Sequence, residues 1–418
     1  MKSPLARVLR LILAALVVVF MLPAIALAGT KPPSVRVIVV FDNAGVNATA
    51  MQHIARLGGV KTKDLPMVDG VAVSLPSQAA AHAVAGISGV KYVEPDLVVQ
   101  ALGKPVPPVP PQPAQEMSWG VYRVLGGNAD LVWASNTADP VKVAVLDTGI
   151  STTHPDLVNN LKGGMSTHSY TKGSYNDDNG HGTMVAGFIA AENNSFGRVG
   201  VAPAADLYAV KVLTQALGGN TSDIIEGLQW VVANHMDVVN MSLGWWKYSA
   251  SADSAVQETI ASGVVVVASA GNEGLTSKPE VGYPAAFPGV IAVSALTRPA
   301  EDMPLPGSLD QPLTIAPWSS RGTEVDLAAP GDGVGSTYLN QSYAIGSGTS
   351  YASPLVAGAA ALVLTSPLGA DDMNGNGRWD PNEVERRLER TAQDLGDPGL
   401  DPFYGYGLVR ADLAVVAP

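Results

Sequence analysis

The 418-residue chain has no cysteine. That excludes disulfides, thiolate nucleophiles and thiolate metal ligands. If the chain is exported, something other than a disulfide must stabilise it. Basic residues are also scarce: 25 Lys and Arg stand against 37 Asp and Glu, for a net charge of −12. The deficit is uneven. Residues 29–102 carry six Lys/Arg and five Asp/Glu, whereas residues 103–418 carry 16 and 32. An acidic main body argues against a nucleic-acid partner and suits solubility and divalent cations. Aromatic residues make up only 6%, while glycine is abundant at 44 residues, a balance that fits a turn-rich α/β protein. The length allows a large core plus an accessory domain.

The start of the chain reads as an export signal. Lys2, Arg7 and Arg10 precede an unbroken apolar run from Leu11 to Leu22, and Ala26-Leu-Ala28 fits a cleavage site. A membrane anchor is the alternative, since apolar residues continue almost to spanning length. Pro23 and the Ala-x-Ala ending favour a signal peptide over residues 1–28. The expectation is a secreted, extracellular protein that meets a membrane only transiently.

Residues 29–102 read as a small α+β unit. "VRVIVVF" and "GVAVSLP" have strand character, "ATAMQHIARLG" and "SQAAAHAVAGI" have helical spacing, and "VKYVEPDLVV" closes as a further strand. "GKPVPPVPPQP" (Gly103–Pro113) then reads as an extended linker, so 103–118 separates two units. From Trp119 to the end, strands alternate with helices. "VKVAVLD", "ADLYAVKVL", "MDVVNMSL", "GVVVVASAG" and "GVIAVSAL" are nearly continuous apolar runs, as strands buried on both faces of a parallel sheet require. Helices are expected over 180–192, 223–235, 251–262 and 349–364. The fold class is therefore α/β, with chemistry expected at the carboxyl ends of the strands.

Three polar residues fall at such places. Asp147 ends "VAVLD", His181 lies in "DDNGHGTMVAG", and Ser350 lies in "GSGTSYASPLVAG". A serine hydroxyl needs an imidazole to take its proton and a carboxylate to support that imidazole. Singly, each residue is equally a turn or helix cap. Together these segments closely resemble the catalytic segments of the subtilisin-like serine peptidases. The likeness covers almost everything from Trp119 to Ala411, including "VVNMSLG", "ASAGNEG" and "LAAPGDGVGST".

The resemblance implies a three-layer sandwich about a mainly parallel sheet over 119–418, preceded by a ferredoxin-like, inhibitor-like propeptide. It implies Ser350 as nucleophile, His181 as base, Asp147 as orienting carboxylate and Asn272 as oxyanion donor. Ser242, Leu243, Gly244, Ser269, Ala270 and Gly271 would edge the pocket for the residue before the scissile bond, with Gly282 near its floor. No charge occurs in these segments, so protein and peptide substrates with large apolar side chains are expected. Self-processing would follow Leu102, with Val99 as the fourth residue upstream, and the propeptide would act as intramolecular chaperone and inhibitor. Met184, Tyr351 and Leu355 depart from the family's common residues. A catalytically dead scaffold and a narrow processing protease are the rival readings. Nothing in the sequence asks for more than a monomer.

Calcium is expected at two places. The resemblance implies a site built by Gln115, Asp156, the Asn194 side chain and the carbonyls of Glu192, Phe196 and Arg198. The second comes from spacing. "DMNGNGRWDPNE" (372–383), in the segment 371–383, matches a twelve-residue EF-hand-type loop: Asp372, Asn374, Asn376, the Arg378 carbonyl, Asp380 and Glu383 at positions one, three, five, seven, nine and twelve, with Gly377 at the sharp turn. An ordinary Asn-Gly-rich interhelical loop is the alternative.

Overall fold

The computed structural model describes residues 34–42, 45–105, 114–297, 309 and 312–416. The expected signal peptide and most of the proline-rich stretch lie outside these residues. The first unit runs β1 (Val35–Phe41), α1 (Ala48–Arg56), β2 (Val60–Leu65), β3 (Gly70–Leu75), α2 (Gln78–Ala85), β4 (Val90–Pro95). Its sheet order, β2-β3-β1-β4, is that of a ferredoxin-like unit. The chain then continues as β5 (Val98–Ala101) and β6 (Lys104–Pro105).

The second unit begins with α3 (Trp119–Val124), α4 (Ala129–Ser135), β7 (Lys142–Asp147), β8 (Leu161–Ser166), α5 (His181–Ala190), β9 (Asp206–Lys211), β10 (Gly218–Asn220) and α6 (Thr221–Ala233). It continues with β11 (Val238–Met241), β12 (Leu243–Gly244), α7 (Ala250–Ala261), β13 (Val265–Ser269), β14 (Ile291–Thr297) and β15 (Thr314–Ile315). It ends with β16 (Leu327–Pro330), β17 (Val334–Tyr338), β18 (Ser342–Ser347), α8 (Thr349–Leu364), α9 (Pro381–Thr391) and α10 (Ala411–Ala414). The central sheet is ordered β15-β14-β13-β11-β7-β9-β8, with β16 also on β14, and only β15 is antiparallel.

Alternation along the buried strands feeds two cores. Val143, Val145, Val265, Val267 and Val293 pack with α5 and α8 on one face. Ala144, Leu146, Val266, Ala268 and Ala292 pack with α6 and α7 on the other. The second core does not stop at the domain: Ile38, Val40, Leu65 and Ala72 of the first unit join it. Polar contacts reinforce that join. Asp96 accepts from Ser222 N (2.9 Å), and Glu94 accepts from Ala250 N (3.0 Å) and Ser251 N (3.1 Å). Two carboxylates of the first unit thus sit on the amino termini of α6 and α7, where orphan N–H groups and the helix dipole favour an anion.

Two expectations change. "VKYVEPDLVV" is not one strand: β4 stays in the first sheet, and after Asp96-Leu97 the chain crosses to the other unit as β5. The start of the proline-rich segment is not a free linker, because Lys104 and Pro105 pair with Ser347 and Gly346 of β18. Proline is tolerated in such an edge position, where its missing N–H breaks no ladder.

A trio of carboxylates, Asp326, Glu385 and Glu389, has oxygens within 4.8 Å of one another. None belongs to either expected calcium set. Burial first, then Glu385 and Glu389, push Asp326 up to about 8. A carboxyl raised in the folded state favours folding while protonated. Its contribution is therefore fully present below the unfolded value near 4 and lost as pH rises through about 8. Asp326→Asn keeps an acceptor for Ala292 N and should raise the unfolding temperature at pH 9 but hardly at pH 4. Thermal scans at the two pH values check this; an equal gain at both refutes it.

Candidate active site

Asp147 is the last residue of β7, and both its oxygens face His181 Nδ1, at 2.8 and 2.9 Å. All of this is buried. His181 opens α5 through Gly180, whose φ of +109° and whose contact with the Tyr338 ring exclude a side chain. A second carboxylate holds this helix start in place. Asp177 accepts from Asn179 N, Gly180 N, Thr183 N, Thr183 Oγ1 and Thr148 Oγ1. Thr148, directly after Asp147, accepts in turn from Gly182 N (2.9 Å). The strand end carrying Asp147 and the helix carrying His181 are locked together. Burial lifts Asp177 above the usual carboxylate range, against the pull of those donors. Sequence reading misses Asp177 and Thr148, because Asp-Asn-Gly and Asp-Thr-Gly runs look like ordinary turns.

Ser350 is the second residue of α8. Its Oγ donates to Ser242 O (3.0 Å), and His181 Nε2 has no hydrogen-bond partner among the described residues. Pairing the two requires the hydroxyl to turn about its Cα–Cβ bond. Ser242 Oγ donates back to Ser350 O (2.8 Å). Asn272 Oδ1 accepts from Thr349 N and Thr349 Oγ1, both at 3.0 Å. That fixes the amide, and its Nδ2 reaches Leu102 O at 2.5 Å. Ser350 N lies 3.4 Å from the same oxygen.

Leu102 is there because the chain itself fills the cleft. β5 lies antiparallel between β10 and β12, pairing Gly219 with Val99 and Leu243 with Ala101. Leu102 N donates to Ser242 O (3.3 Å). The next residues pass Ser350 and join β18. A Cβ on Gly244 would lie 2.8 Å from Leu102 Cδ1, so the leucine covers that wall. Ser269 and Ala270 are buried. Ala270 O accepts from Gly282 N (2.9 Å), which brings Gly271 and Gly282 together. The Trp246 indole lies beside Gly282. Val99 is fully buried in the cluster containing Leu213 and Leu243.

A buried Asp–His pair, a serine at a helix start and two donors on one carbonyl are the parts that acyl transfer needs. The profile of the subtilase family matches residues 138–407. The chain is a subtilase. It is 38% identical to subtilisin E of Bacillus subtilis over 362 residues, covering 86% of this chain and 84% of that one. It is 44% identical to subtilisin of Bacillus pumilus over 302 residues, or 72% and 99% of the two chains. Among solved structures it is similar to fervidolysin from Fervidobacterium pennivorans, described as a keratinolytic enzyme related to subtilisin, with a TM-score of 0.76 and 26% identity. That match covers 94% of this chain and 62% of fervidolysin. This subtilase is a serine endopeptidase with a mainly parallel central sheet.

The first expected calcium set of the subtilase comes together in space. Gln115 Nε2 donates to Glu192 O (2.7 Å), and Asn194 Nδ2 to Asp156 Oδ1 (3.3 Å). Asp156 Oδ2 accepts from Arg198 N and Tyr343 Oη, both at 2.8 Å. Phe196 lies between, with its N on Asn194 Oδ1. The EF-hand-type loop is also preshaped. Asp372 accepts from Asn376 N (3.0 Å) and Gly377 N (3.1 Å), and Asn376 Oδ1 accepts from Arg378 N (2.9 Å). Asn374 and Asn376 donate their amides to Asp380 Oδ2, both at 2.6 Å. Glu383 is buried and reaches Met373 N and Asp380 N. Gly377, at φ +74°, makes the turn.

Proposed function

We propose that this subtilase is a secreted endopeptidase made as a zymogen, which cuts its own Leu102–Gly103 bond and then cleaves proteins after large apolar residues. The observation that carries this reading is the Leu102 carbonyl oxygen, aimed at Asn272 Nδ2 and Ser350 N while Gly103 abuts His181 and Ser350. Ser350 Oγ, turned toward His181 Nε2, attacks the Leu102 carbonyl carbon. His181 takes the hydroxyl proton, and Asp147 stabilises the imidazolium at Nδ1. Asn272 and the Ser350 N–H hold the oxyanion. Collapse breaks the C–N bond, and His181 returns the proton to the Gly103 nitrogen. Water then hydrolyses the acyl-enzyme by the same path in reverse order.

The apolar preference is supported by the uncharged walls at Leu243, Gly244, Ser269, Ala270, Gly271 and Gly282 and by burial of both Leu102 and Val99. The chaperone role of residues 29–102 is supported by the shared core and the capping carboxylates Glu94 and Asp96. Export rests on the Lys2–Ala28 leader pattern. Calcium fits both donor sets, which consist of carboxylates, amides and carbonyls alone. Gln115, Asp156, Glu192, Asn194, Phe196 and Arg198 would hold one ion; Asp372, Asn374, Asn376, Arg378, Asp380 and Glu383 would hold the other. The metal would supply charge neutralisation and stiffening, with no part in the bond-breaking step. After purification the protein should yield two fragments divided between Leu102 and Gly103 by mass spectrometry, and Leu102→Asp should slow the split at least ~10²-fold, since the charge enters an uncharged pocket. A boundary elsewhere, or unaltered splitting of the variant, sinks the reading.

A further inference from the structure

Lys63 of β2 reaches out of the first unit and ends on the second. Its Nζ donates to Thr167 O (2.7 Å), lies 3.1 Å from Asp223 Oδ1 and pairs with Glu226 Oε2. Asp223 and Glu226 stand one turn apart on α6, so both face the ammonium. Asp223 is aimed without help from Lys63, because its Oδ2 accepts from Asn220 N (2.8 Å) in the cap of its own helix. Beside this seat lies a cavity of about 640 Å³ between the two units. Among the described residues its lining holds one carboxylate, Asp223, which belongs to the second unit. Both fixed cations that line it, Arg36 and Lys63, belong to the first, and Arg36 is already paired with Asp96 (2.7 Å). His168 lines the cavity too and adds no charge at pH ~8, since burial holds its imidazole below the ordinary range. Tyr170 stacks on the His168 ring (centroids 5.5 Å) and is largely exposed, so it offers apolar surface there. Val98 completes the lining, opposite Asn220 in the β5–β10 ladder, and at 64% exposure it leaves most of the space unfilled.

We propose that the cleaved enzyme carries a subsite for a basic side chain at the fifth residue before the scissile bond, built by Asp223 and Glu226. This rests on the self-processing reading, in which residues 98–102 lie as a substrate does. Departure of residues 29–102 removes Lys63 and Arg36 together, while both carboxylates and the Thr167 carbonyl stay behind. An incoming extended chain pairs with β10 as β5 does, which puts its fifth residue where Val98 lies. The residue opposite Val98 is Asn220, whose N–H Asp223 holds, so the carboxylate is within reach of a long side chain at that position. A Lys or Arg there lays its methylene stem along Tyr170 and brings its charge to the seat that Lys63 occupied. Valine is too short to reach it, and Glu meets like charge. Proteins in which a basic residue stands four positions ahead of a large apolar one would be the preferred substrates, and the acidic main body draws such segments toward the cleft.

The experiment uses the processed protein and quenched peptides that carry residues 96–105 with Lys, Val or Glu at position 98. The parent should favour Lys over Val by about 5-fold and over Glu by about 30-fold in kcat/KM, the size expected of charged hydrogen bonds near a surface. Raising the salt to about 1 M should shrink the Lys-to-Glu ratio several-fold, because the pairing is electrostatic. Asp223→Asn with Glu226→Gln, which keeps an acceptor for Asn220 N, should bring the three rates within about 3-fold of one another. If that variant does not fold, Glu226→Gln alone, at a side chain 31% exposed, should cut the Lys-to-Glu ratio by about 3-fold. A parent that cuts all three peptides alike, or a double or single variant with the parent's ratios, overturns the proposal alone. A parent that cuts casein but none of the peptides overturns the self-processing reading and this proposal with it.

Discussion

Replacing Ser350 by Ala is expected to leave the purified chain in one piece and to lower hydrolysis of casein and peptides by about 10⁶-fold, the loss known for a subtilisin whose nucleophile is removed. Among the described residues, no other group is placed to attack the Leu102 carbonyl. His181 and Asp147 can move a proton but have nothing to activate, and the remaining donors stabilise an oxyanion that no longer forms. The fold should survive, because among the described residues the hydroxyl makes a single hydrogen bond, to Ser242 O. Gel analysis for the unsplit chain, a hydrolysis assay and a thermal scan read the three parts together. An alanine variant that divides at Leu102 when purified alone would show that the nucleophile is elsewhere. Asn272→Ala should process slowly rather than not at all, with turnover down by about 10²–10³, again a value that comes from a subtilisin. The difference separates the group that makes the bond from the group that holds the charge.

Removing calcium with a chelator is expected to lower the unfolding temperature by on the order of 10 °C. The first ligand set does not exist as a set in the unfolded chain, because Gln115, Asp156 and Asn194 meet only through the tertiary fold. An ion at about 1,000 times its Kd stabilises the folded state by about 4 kcal/mol, and for a domain of about 250 residues each kcal/mol moves the midpoint by about 2–4 °C. With no cysteine, no covalent cross-link offsets the loss. The sites can be told apart by count. Asp372→Asn with Glu383→Gln keeps the loop's polar contacts and the helix cap but removes two charges, and calorimetric titration should then find one ion fewer. Asp156→Asn should remove the other. Unchanged stoichiometry in either variant rejects that site, and an unmoved midpoint on chelation rejects calcium as a stabiliser.

The buried strands were readable because nothing but an apolar run can lie between two helical layers. β7, β9, β11 and β13 fall within the runs read from sequence, β14 runs one residue past its own to Thr297, and α8 spans the expected 349–364. β8 escaped, because "LKGGMS" at the sheet's edge carries neither alternation nor a continuous apolar run. β17 and β18 escaped for a similar reason. They form a hairpin, "VGSTY" and "SYAIGS", rich in Ser, Thr, Gly and Tyr, whose burial comes from neighbouring elements rather than from its own pattern. The acidic trio Asp326, Glu385 and Glu389 joins residues some sixty positions apart, a pairing that no spacing rule detects.

What the sequence determined by itself is the set of local chemistries: the Asp, His and Ser segments at strand and helix ends, the Asn272 turn and the twelve-residue oxygen-rich loop. Each is written in contiguous residues whose backbone needs, such as Gly180 and Gly377 at positive φ, are visible in the letters. What only the tertiary structure decided is where distant segments meet. β5 inserts between β10 and β12, Leu102 O reaches Asn272, Gly103 meets Tyr351, and Asp96 and Glu94 reach helices more than a hundred residues away. The physical reason is that backbone hydrogen bonds and close packing do not depend on sequence separation. A strand edge accepts any extended partner that fits, and the two buried faces, together with the side chains lining the cleft, select which one fits.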